Sequence, residues 1–233
     1  MIRLDKLLAH SGYGSRKEVK ELIRKGFVSV NEVVIKNDDY KVDETNDEVI
    51  VDGVIIDYQK YIYIMMNKPD GVISATYDSK EQIVLDLIID VPTRGLFPVG
   101  RLDKDSEGLL LITNDGKLAH DLLSPKKHVK KVYYIEYEGT LDSDVELKFK
   151  NGITLDDGYK CLSAEIELLE NNRAYVKISE GKFHQVKRMI NAVNGEVTYL
   201  KRIKFGSLEL DESLQKGEYR FLSEEELNSL RNN

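Results

Sequence analysis

The residues best placed for chemistry lie in one short stretch, Gly100-Arg101-Leu102-Asp103, which is followed by Lys104-Asp105-Ser106-Glu107-Gly108. Residues 109–113 form an apolar run with the length of a buried strand, and Asn114-Asp115-Gly116 is typical of a turn. Asp103 is therefore expected on a loop beside a rigid strand, where side chains that act on a ligand are common. The pattern predicts a carboxylate that meets a ligand.

Two other interpretations of these carboxylates are open. Asp103, Asp105, Glu107 and Gly108 occupy positions 1, 3, 5 and 6 of a calcium-loop pattern. That pattern needs Asp or Asn at position 5 and a bidentate Glu at position 12, where this chain has Asn114. An ordinary acidic surface turn is the second alternative. The residues of this stretch do not by themselves decide among a catalytic loop, an ion site and a turn.

Four motifs together resemble those of the RsuA-type rRNA pseudouridine synthases. They are the stretch from Gly100 to Gly116, Asn67-Lys68-Pro69-Asp70-Gly71 before it, Lys131-Val132-Tyr133 after it, and the segment 180–189, Glu-Gly-Lys-Phe-His-Gln-Val-Lys-Arg-Met. The resemblance spans roughly residues 60–206. It implies an enzyme that isomerises uridine in RNA to pseudouridine without a metal or cofactor, and it favours the catalytic loop.

The resemblance also implies roles for individual residues. Asp103 is expected to be the catalytic carboxylate, and Lys187 the cation that keeps it ionised, because partial burial raises the pKa of a carboxyl. Tyr133 is expected to stack on the extruded uracil, and Arg101 to hold a phosphate. Three alternatives stay open: Lys187 and Arg188 as a solvated basic face, Tyr133 as a packed strand residue, and Arg101 as an anchor of the loop.

The chain before residue 59 predicts a separate small domain. Leu4, Leu7 and Leu8 form one helical stripe, and Ser15 with Glu18 predicts a capping box for a second helix. Short strands are expected at 27–30, 33–35, 49–51 and 54–56. This helix–helix–hairpin order resembles the S4 RNA-binding module, whose basic helices dock on structured RNA. A solvated amphipathic helix pair is the alternative.

The resemblances place further lysines and arginines against RNA. The expected contacts are Arg3, Lys6, Arg16, Lys17, Lys20 and Arg24 in residues 1–58, and Lys68, Arg101, Lys130, Lys131 and Arg188 in residues 59–233. Lys68 could instead be only a turn residue.

The periodicity of residues 59–233 predicts interspersed strands and helices. Strands are expected at 61–66, 109–113, 132–137, 161–169, 174–178, 197–200 and 203–205, and helices at 82–89, 118–123, 143–149, 185–193 and after the Ser223 cap. Because no regular βαβ alternation is present, the fold class expected is α+β: an S4-like domain at 1–58, followed by a synthase domain at 59–233 on a large, mostly antiparallel sheet.

Charge distribution allows an RNA partner although the net charge of the chain is −7. Residues 1–25 carry a local charge of +4 and residues 182–204 one of +5, whereas residues 31–57 carry −7. Phosphate binding depends on the local patch, since charges are screened beyond about 8 Å at physiological salt. The single cysteine, Cys161, is expected to be a packed residue, and histidines 10, 120, 128 and 184 lack metal-ligand spacing.

These observations together predict a cytoplasmic, monomeric rRNA pseudouridine synthase with no membrane association. The segments Lys68–Ser74 and 84–87 resemble the small-subunit branch, so the expected substrate is the uridine at reference position 516 of 16S rRNA, in naked RNA or a partly assembled subunit. The alternatives are a large-subunit (23S) rRNA enzyme of the same family and a non-catalytic S4-type rRNA-binding or assembly factor.

Overall fold

A computed structural model describes residues 1–44, 46–56, 58 and 60–232. The backbone contacts divide the chain into two compact units. The first consists of Met1–Ile62 with Ile89–Gly95, and the second of Tyr63–Ile88 with the chain from Leu96 onwards. The predicted domain boundary, between residues 58 and 59, reaches a residue outside the described part and stays a prediction. Residues 89–95, assigned from the sequence to the synthase domain, group with the first unit.

The described residues of the first unit form two helices and two small antiparallel sheets. Its elements are β1 (Ile2–Arg3), α1 (Leu4–His10), α2 (Arg16–Arg24), β2 (Val28–Val30), β3 (Val33–Val34), β4 (Lys41–Val42), β5 (Val49–Val51) and β6 (Val54–Ile55). β1 pairs with β4, and the order in the other sheet is β3-β2-β5-β6. The predicted capping box is confirmed, since Ser15 and Glu18 each bond the other's backbone N–H at the start of α2.

One apolar core holds the first unit together. The leucine stripe of α1 packs with Val19 and Ile23 of α2 on the inward residues of β2 and β5. Leu4, Leu8 and Val19 are completely buried. Burial of a side chain of this size contributes about 1.5–3 kcal/mol relative to exposure. The predicted helix–helix–hairpin arrangement is therefore present.

The second unit combines a large sheet with four helices. Its elements, in the described residues, are β7 (Tyr63–Lys68), β8 (Phe97–Pro98), β9 (Glu107–Thr113), α3 (Gly116–Leu123), β10 (Lys131–Gly139), α4 (Val145–Asn151), β11 (Glu165–Leu169), β12 (Arg173–Ile178), α5 (Gln185–Asn191), β13 (Gly195–Phe205), β14 (Leu208–Glu209), β15 (Tyr219–Phe221) and α6 (Glu224–Arg231). Ser223 caps α6 as predicted.

The large sheet has the order β11-β12-β10-β13-β9-β7-β15, with β14 beside β13 and β8 beside β9. Its pairings among described residues are antiparallel except that of β9 with β13, which is parallel and joins Glu107 to Lys201 and Gly108 to Arg202. The predicted α+β class with a large, mostly antiparallel sheet is confirmed. All residues of β9 and β7 are buried, so the two strands form the rigid centre of the unit.

Three predicted elements differ from the structure. Residues 82–89 contain only a short 3-10 turn, Val84–Leu87, because the Asp86 carboxylate bonds the N–H of Ile83 and Ile83 bridges to Ile73. The two strands predicted at 197–200 and 203–205 are one continuous strand, β13. The strand predicted from residue 161 begins at Glu165, since Cys161 lies in an irregular segment and its N–H donates to the carbonyl of Ile153. Cys161 is buried, as predicted.

None of the helices in the described part of the chain combines the length and the apolar character needed to cross a bilayer.

Candidate active site

Asp103 lies on an irregular loop immediately before β9, in the position the sequence predicts. The turn after the strand is also as expected: the Asp115 carboxylate accepts hydrogen bonds from the N–H groups of Lys117 and Leu118 and starts α3. The Asp103 side chain is 27% exposed, so its carboxylate reaches a cavity without being fully solvated. The loop thus presents an acid from the edge of a rigid strand.

The contacts of these side chains do not fit the calcium-loop alternative. Glu107 is buried and accepts hydrogen bonds from Tyr199 Oη at 2.7 Å and Lys216 Nζ at 2.6 Å, so its two oxygens are occupied. The Asp105 carboxylate is bonded to a lysine. Across the described residues, no group of three or more His, Cys, Asp or Glu side chains converges to hold a metal ion.

Lys68 anchors the Asp103 loop through hydrogen bonds from its ammonium group. It is fully buried, and its Nζ donates to the backbone carbonyls of Pro69, Lys104 and Ser106 at 2.8, 3.3 and 2.8 Å. Burial lowers the pKa of Lys68 to about 8, against the attraction of nearby carboxylates. The predicted RNA contact of Lys68 is therefore corrected: its ammonium is enclosed by the protein and orders the loop.

Ser74 fixes the same loop on its other side. Its Oγ donates to the carbonyl of Leu102 at 2.9 Å and accepts from the N–H of Leu102 at 3.1 Å. Ser74 and Leu102 are both buried, so water does not compete for these bonds. The segment from Lys68 to Ser74 thus fixes the backbone on both sides of Asp103, which explains why this motif accompanies the loop in the sequence.

Asp103 and Tyr133 line one cavity of about 80 Å³. Arg101, Ser106 and His184 also line it. Tyr133 lies on β10 with only 8% of its surface exposed. Its neighbour Tyr134 lies instead against Tyr175 and Tyr199, beside a different cavity. The structure therefore brings together two of the three predicted catalytic residues, a carboxylate and a phenol ring.

Lys187, the third, takes a different partner from the one predicted. Its Nζ lies 2.6 Å from Asp105 Oδ1, and no ion pair between Lys187 and Asp103 occurs in the described structure. The hydrogen bond from Lys187 lowers the pKa of Asp105. The predicted direct pairing is corrected, because the ammonium of Lys187 reaches the carboxylate two residues further along the loop.

His184 is the basic side chain that lies within ion-pair distance of Asp103 in the described structure. Its Nε2 lies 3.6 Å from Asp103 Oδ1, a charged contact when the imidazole is protonated. The residue adopts a left-handed backbone conformation at the start of α5, with φ of 50°. Its ring stacks on Phe183, with ring centroids 3.7 Å apart, and Phe183 is 74% exposed. The partly buried His184 lines the cavity, and the exposed Phe183 ring covers one face of its imidazole.

The other basic residues predicted in the second unit divide into exposed ones, Arg101 and Lys130, and ones that are paired or buried, Arg188 and Lys131. Arg101 and Lys130 are exposed, and Arg101 lines the Asp103 cavity. Arg188 is bound to Asp156 and Asp157, which raises its pKa and occupies its guanidinium. Lys131 is 9% exposed and lies in the wall of a neighbouring cavity.

The predicted RNA contacts of the first unit also divide. Arg3, Lys20 and Arg24 form ion pairs with the aspartates of the same unit, Asp5, Asp38 and Asp39. Lys6, Arg16 and Lys17 are exposed, and none of the recorded ion pairs among the described residues includes them. The second group therefore has charges available to a ligand.

Arg94 joins the basic surface of the first unit, which the sequence did not predict. Its Nη1 donates to the carbonyl of Gly14 at 2.9 Å. Burial, and then the charges of Lys6, Arg16 and Arg94, lower the pKa of His10. Residues distant in sequence thus converge on one positive surface, and the periodicity of residues 1–58 contained no signal for Arg94.

Sequence reasoning also missed Ser74, His184 and Arg202. Ser74 carries no signal beyond its motif, and the spacing of His184 indicates only that it is not a metal ligand. Arg202 had a usable signal. It lies two residues after the buried Leu200, so both side chains point to the same face of the strand, and a charged residue at a buried position is rare. Predicting two short strands in place of β13 put Leu200 and Arg202 in different strands and hid this relation.

Comparison with known proteins gives consistent matches along the chain. Residues 62–192 match the family model for RNA pseudouridylate synthase, and residues 2–49 match the S4 domain. A solved structure described as a crystal structure of pseudouridylate synthase has a TM-score of 0.69 and 31% identity, and the match covers 99% of this chain and 100% of that one.

Three curated relatives illustrate the range of names. The chain is 49% identical to YtzG of Bacillus subtilis, named an uncharacterized RNA pseudouridine synthase, over 98% of each chain. It is 40% identical to ribosomal small subunit pseudouridine synthase A of Vibrio cholerae, over 98% of this chain and 99% of the relative. It is 37% identical to ribosomal large subunit pseudouridine synthase B of Bacillus subtilis, over 99% and 96%.

Proposed function

The chain belongs to the RNA pseudouridylate synthase family, and from that premise we propose that it converts one uridine of 16S rRNA to pseudouridine, with Asp103 as the catalytic carboxylate. The observation that carries the proposal is the cavity that Asp103 and Tyr133 line together. The proposed site of action is the cytoplasm, with the enzyme working as a monomer.

The reaction is an isomerisation. The bond between ribose C1′ and uracil N1 breaks, a bond between C1′ and C5 forms, C5 loses its proton and N1 gains one. No atom of the product comes from another molecule, and no electron is gained or lost. The requirements on the protein are therefore an ionised carboxylate at the sugar or base, and a means of holding the nucleotide outside its stack.

Asp103 meets the first requirement. It serves as an anion whether it attacks C1′, attacks the base or removes a ribose proton. Two basic side chains lie near its loop: His184, whose Nε2 is 3.6 Å from its Oδ1, and Lys187, which binds Asp105. The predicted role of Lys187 is thus retained in a weaker form, as a charge near the loop.

Tyr133 meets the second requirement. Its ring is held by β10 and faces the Asp103 cavity, where it can stack on an extruded uracil. Stacking on an aromatic side chain contributes roughly 1–3 kcal/mol per base, which is comparable with the few kcal/mol needed to unstack a nucleotide. Ser106 lines the same cavity, and its buried Oγ lacks a hydrogen-bond partner in the described structure, so this hydroxyl can bond a polar edge of the base.

Ser74→Ala is expected to lower turnover about 10- to 100-fold, because misplacement of a reacting group by about 1 Å has effects of that size. The change leaves the N–H and carbonyl of Leu102 buried without their partner, at a cost of about 1–3 kcal/mol in the free energy of unfolding. Single-turnover pseudouridine formation and denaturant unfolding measure the two effects.

Ser106→Ala is the matched control for stability. It also removes a buried hydroxyl from the loop, but one without a hydrogen-bond partner in the described structure, so the free energy of unfolding should stay nearly unchanged. Equal stability losses in the two variants would contradict the assigned role of Ser74.

The first unit is proposed to dock the RNA through Lys6, Arg16 and Lys17. Lys17→Ala should weaken RNA binding and reduce the slope of log affinity against log salt by about 1, since one phosphate contact is lost. Arg24→Ala removes an exposed cation that is already paired with Asp38, and should change the slope less. RNA binding titrated at several salt concentrations measures both. Equal slope changes would remove the distinction between paired and unpaired cations.

The choice of 16S rRNA rests on the segments Lys68–Ser74 and 84–87, and on similarity to small-subunit enzymes. The 37% identity to a large-subunit enzyme supports 23S rRNA as the second candidate. Incubating the full chain with rRNA from a modification-deficient strain, as naked RNA and as partly assembled subunits, and then mapping pseudouridine, tests both. Modification of 23S rRNA alone would overturn the 16S assignment. Absence of pseudouridine on every substrate would favour a non-catalytic rRNA-binding factor.

A further inference from the structure

A second cavity, of about 410 Å³, adjoins the one that contains Asp103. The two share Arg101, Tyr133, Gly181 and Lys182 in their linings. Its volume falls within the range of about 300–1,000 Å³ that is usual for small-ligand sites. The wall of this larger cavity contains two buried cations, Lys131 and Arg202.

Arg202 is 2% exposed and lacks a full set of hydrogen bonds. Its Nε donates to the carbonyl of Leu109 at 2.8 Å, and its guanidinium lies 5.0 Å from the ring centroid of Phe205. Its Nη2 is buried and has no hydrogen-bond partner in the described structure. Buried polar groups without partners are uncommon in folded proteins, and an unpaired buried donor is costly.

Lys131 lies beside Arg202, one strand away. In the pairing of β10 with β13, Lys131 is opposite Phe205 and Tyr133 is opposite Arg202. The Lys131 Nζ donates to the carbonyl of Val129 at 3.0 Å and lies 5.6 Å from the Phe205 ring centroid. Burial, and then the charge of Arg202, lower the pKa of Lys131 to about 8. Both cations therefore lie near the same phenyl ring.

No carboxylate of the described residues forms an ion pair with either cation. The acid in the cavity lining, Glu180, already accepts hydrogen bonds from Tyr159 Oη, Leu162 N and Gln185 Nε2 at 2.7 to 2.9 Å. Two buried positive charges without a counter-ion are unfavourable unless a ligand supplies the negative charge. This unmatched charge points to an anion in the cavity.

We propose that Lys131 and Arg202 form a buried subsite for one backbone phosphate of the substrate RNA, adjacent to the nucleotide on which Asp103 acts. A guanidinium and an ammonium together suit a phosphate, because the first donates from a planar fork and the second acts as a point charge. The identity of the ligand as RNA rests on the proposed function. The subsite goes beyond the proposed function because it assigns a phosphate-binding role to Arg202, in combination with Lys131.

By binding the phosphate, the subsite also fixes the position of the attached nucleotide. Tyr133 lines both cavities, so a phosphate in the larger one leaves the attached nucleoside next to the Tyr133 ring and the Asp103 cavity. Binding energy gained at the phosphate then offsets the cost of unstacking. Arg202 and Lys131 are positioning residues in this scheme, since neither touches the reacting atoms.

The test replaces single phosphates of the RNA by neutral methylphosphonates. The probe is the RNA fragment that contains the mapped uridine, with the linkage 5′ or 3′ to that uridine neutralised in turn. Binding is measured in the full chain carrying Asp103→Asn, so that turnover does not interfere. One linkage is expected to cost about 10- to 100-fold in affinity, and the other much less.

Lys131→Met, added to this background, completes a double-mutant cycle. It should weaken binding of unmodified RNA about 10- to 100-fold and reduce the salt slope by about 1, but have little further effect on the RNA with the critical neutral linkage. Lys150→Met, at an exposed lysine of α4, is the matched control and should change neither value. Additive losses from Lys131→Met and every neutral linkage would overturn the proposal.

Two further measurements keep the result decisive. If circular dichroism shows that Lys131→Met does not fold, the methylphosphonate series on the Asp103→Asn chain still tests the proposal. Equal losses of affinity at both linkages would contradict a single buried subsite. If no uridine is modified by the wild-type chain, the proposed function fails, and inorganic phosphate becomes the probe. Phosphate should then raise the Tm of the wild type more than that of Lys131→Met at equal ionic strength, and equal shifts would reject the subsite.

Discussion

Asp103→Asn is expected to abolish pseudouridine formation, lowering the single-turnover rate by at least about four orders of magnitude. The substitution keeps the shape of the side chain and removes the negative oxygen that each possible role of Asp103 requires. The loop should persist, because its backbone is held by Lys68 and Ser74 rather than by the Asp103 carboxylate.

RNA affinity in this variant is expected to stay within a few-fold of the wild type. The change removes a negative charge from a surface that meets phosphate, so it adds no repulsion. Quantitative pseudouridine mapping and RNA binding, made on the same preparation, separate the two effects. Retained turnover would exclude Asp103 from its assigned role.

Asp105→Asn is the matched control for this prediction. Asp105 lies on the same loop, but its side chain is 72% exposed and contacts Lys187 rather than the cavity. Its replacement should leave turnover within about tenfold of the wild type, since exposed ion pairs contribute little. A loss as large as that of Asp103→Asn would mean that the loop as a whole, and not one carboxylate, carries the reaction.

Gly108→Ala is expected to lower the free energy of unfolding of the second unit by more than about 3 kcal/mol. Gly108 has a φ of 99°, and a Cβ there would lie 2.2 Å from the carbonyl oxygen and 2.9 Å from the nitrogen of Arg202. Both atoms belong to the backbone, so relief requires β9 and β13 to separate. That movement would also displace Arg202 from the larger cavity.

Gly71→Ala isolates the steric part of this effect. Gly71 also has a positive φ, 77°, but an added Cβ would meet no atom within 4 Å. Its cost should be limited to the conformational strain of about 1–2 kcal/mol. Denaturant unfolding followed by circular dichroism compares the two variants. Equal midpoints would show that β9 and β13 do not approach each other this closely.

Features determined by local sequence could be predicted well. Asp103 was placed before a buried strand because the apolar run and the turn after it adjoin it in sequence. The capping boxes at Ser15 and Ser223 depend on residues three positions apart, and both are present. The motif places Tyr133 at the site, and the alternation of side chains along a strand puts its neighbour Tyr134 on the opposite face.

Features that depend on distant pairing could not be predicted. Whether Lys187 reaches Asp103 or Asp105 is decided by how α5 sits against the loop, and the two carboxylates are only two residues apart. Lys68 looked like a turn residue because its carbonyl partners, on Lys104 and Ser106, are far away in sequence. Arg202 acquires its significance only from the parallel pairing of β13 with β9.

That parallel pairing also affects how the protein is made. Arg202 bonds Leu109 across 93 residues of sequence, whereas the core of the first unit uses residues 4–51. Pairings between distant segments form slowly, and an emerging polypeptide cannot form them until both segments have left the ribosome. During translation the first unit can therefore fold early, whereas the second unit cannot complete its sheet until β13 has emerged. A prematurely terminated product ending before residue 195 would contain Asp103 and Tyr133 without β13, the strand that adjoins both β9 and β10.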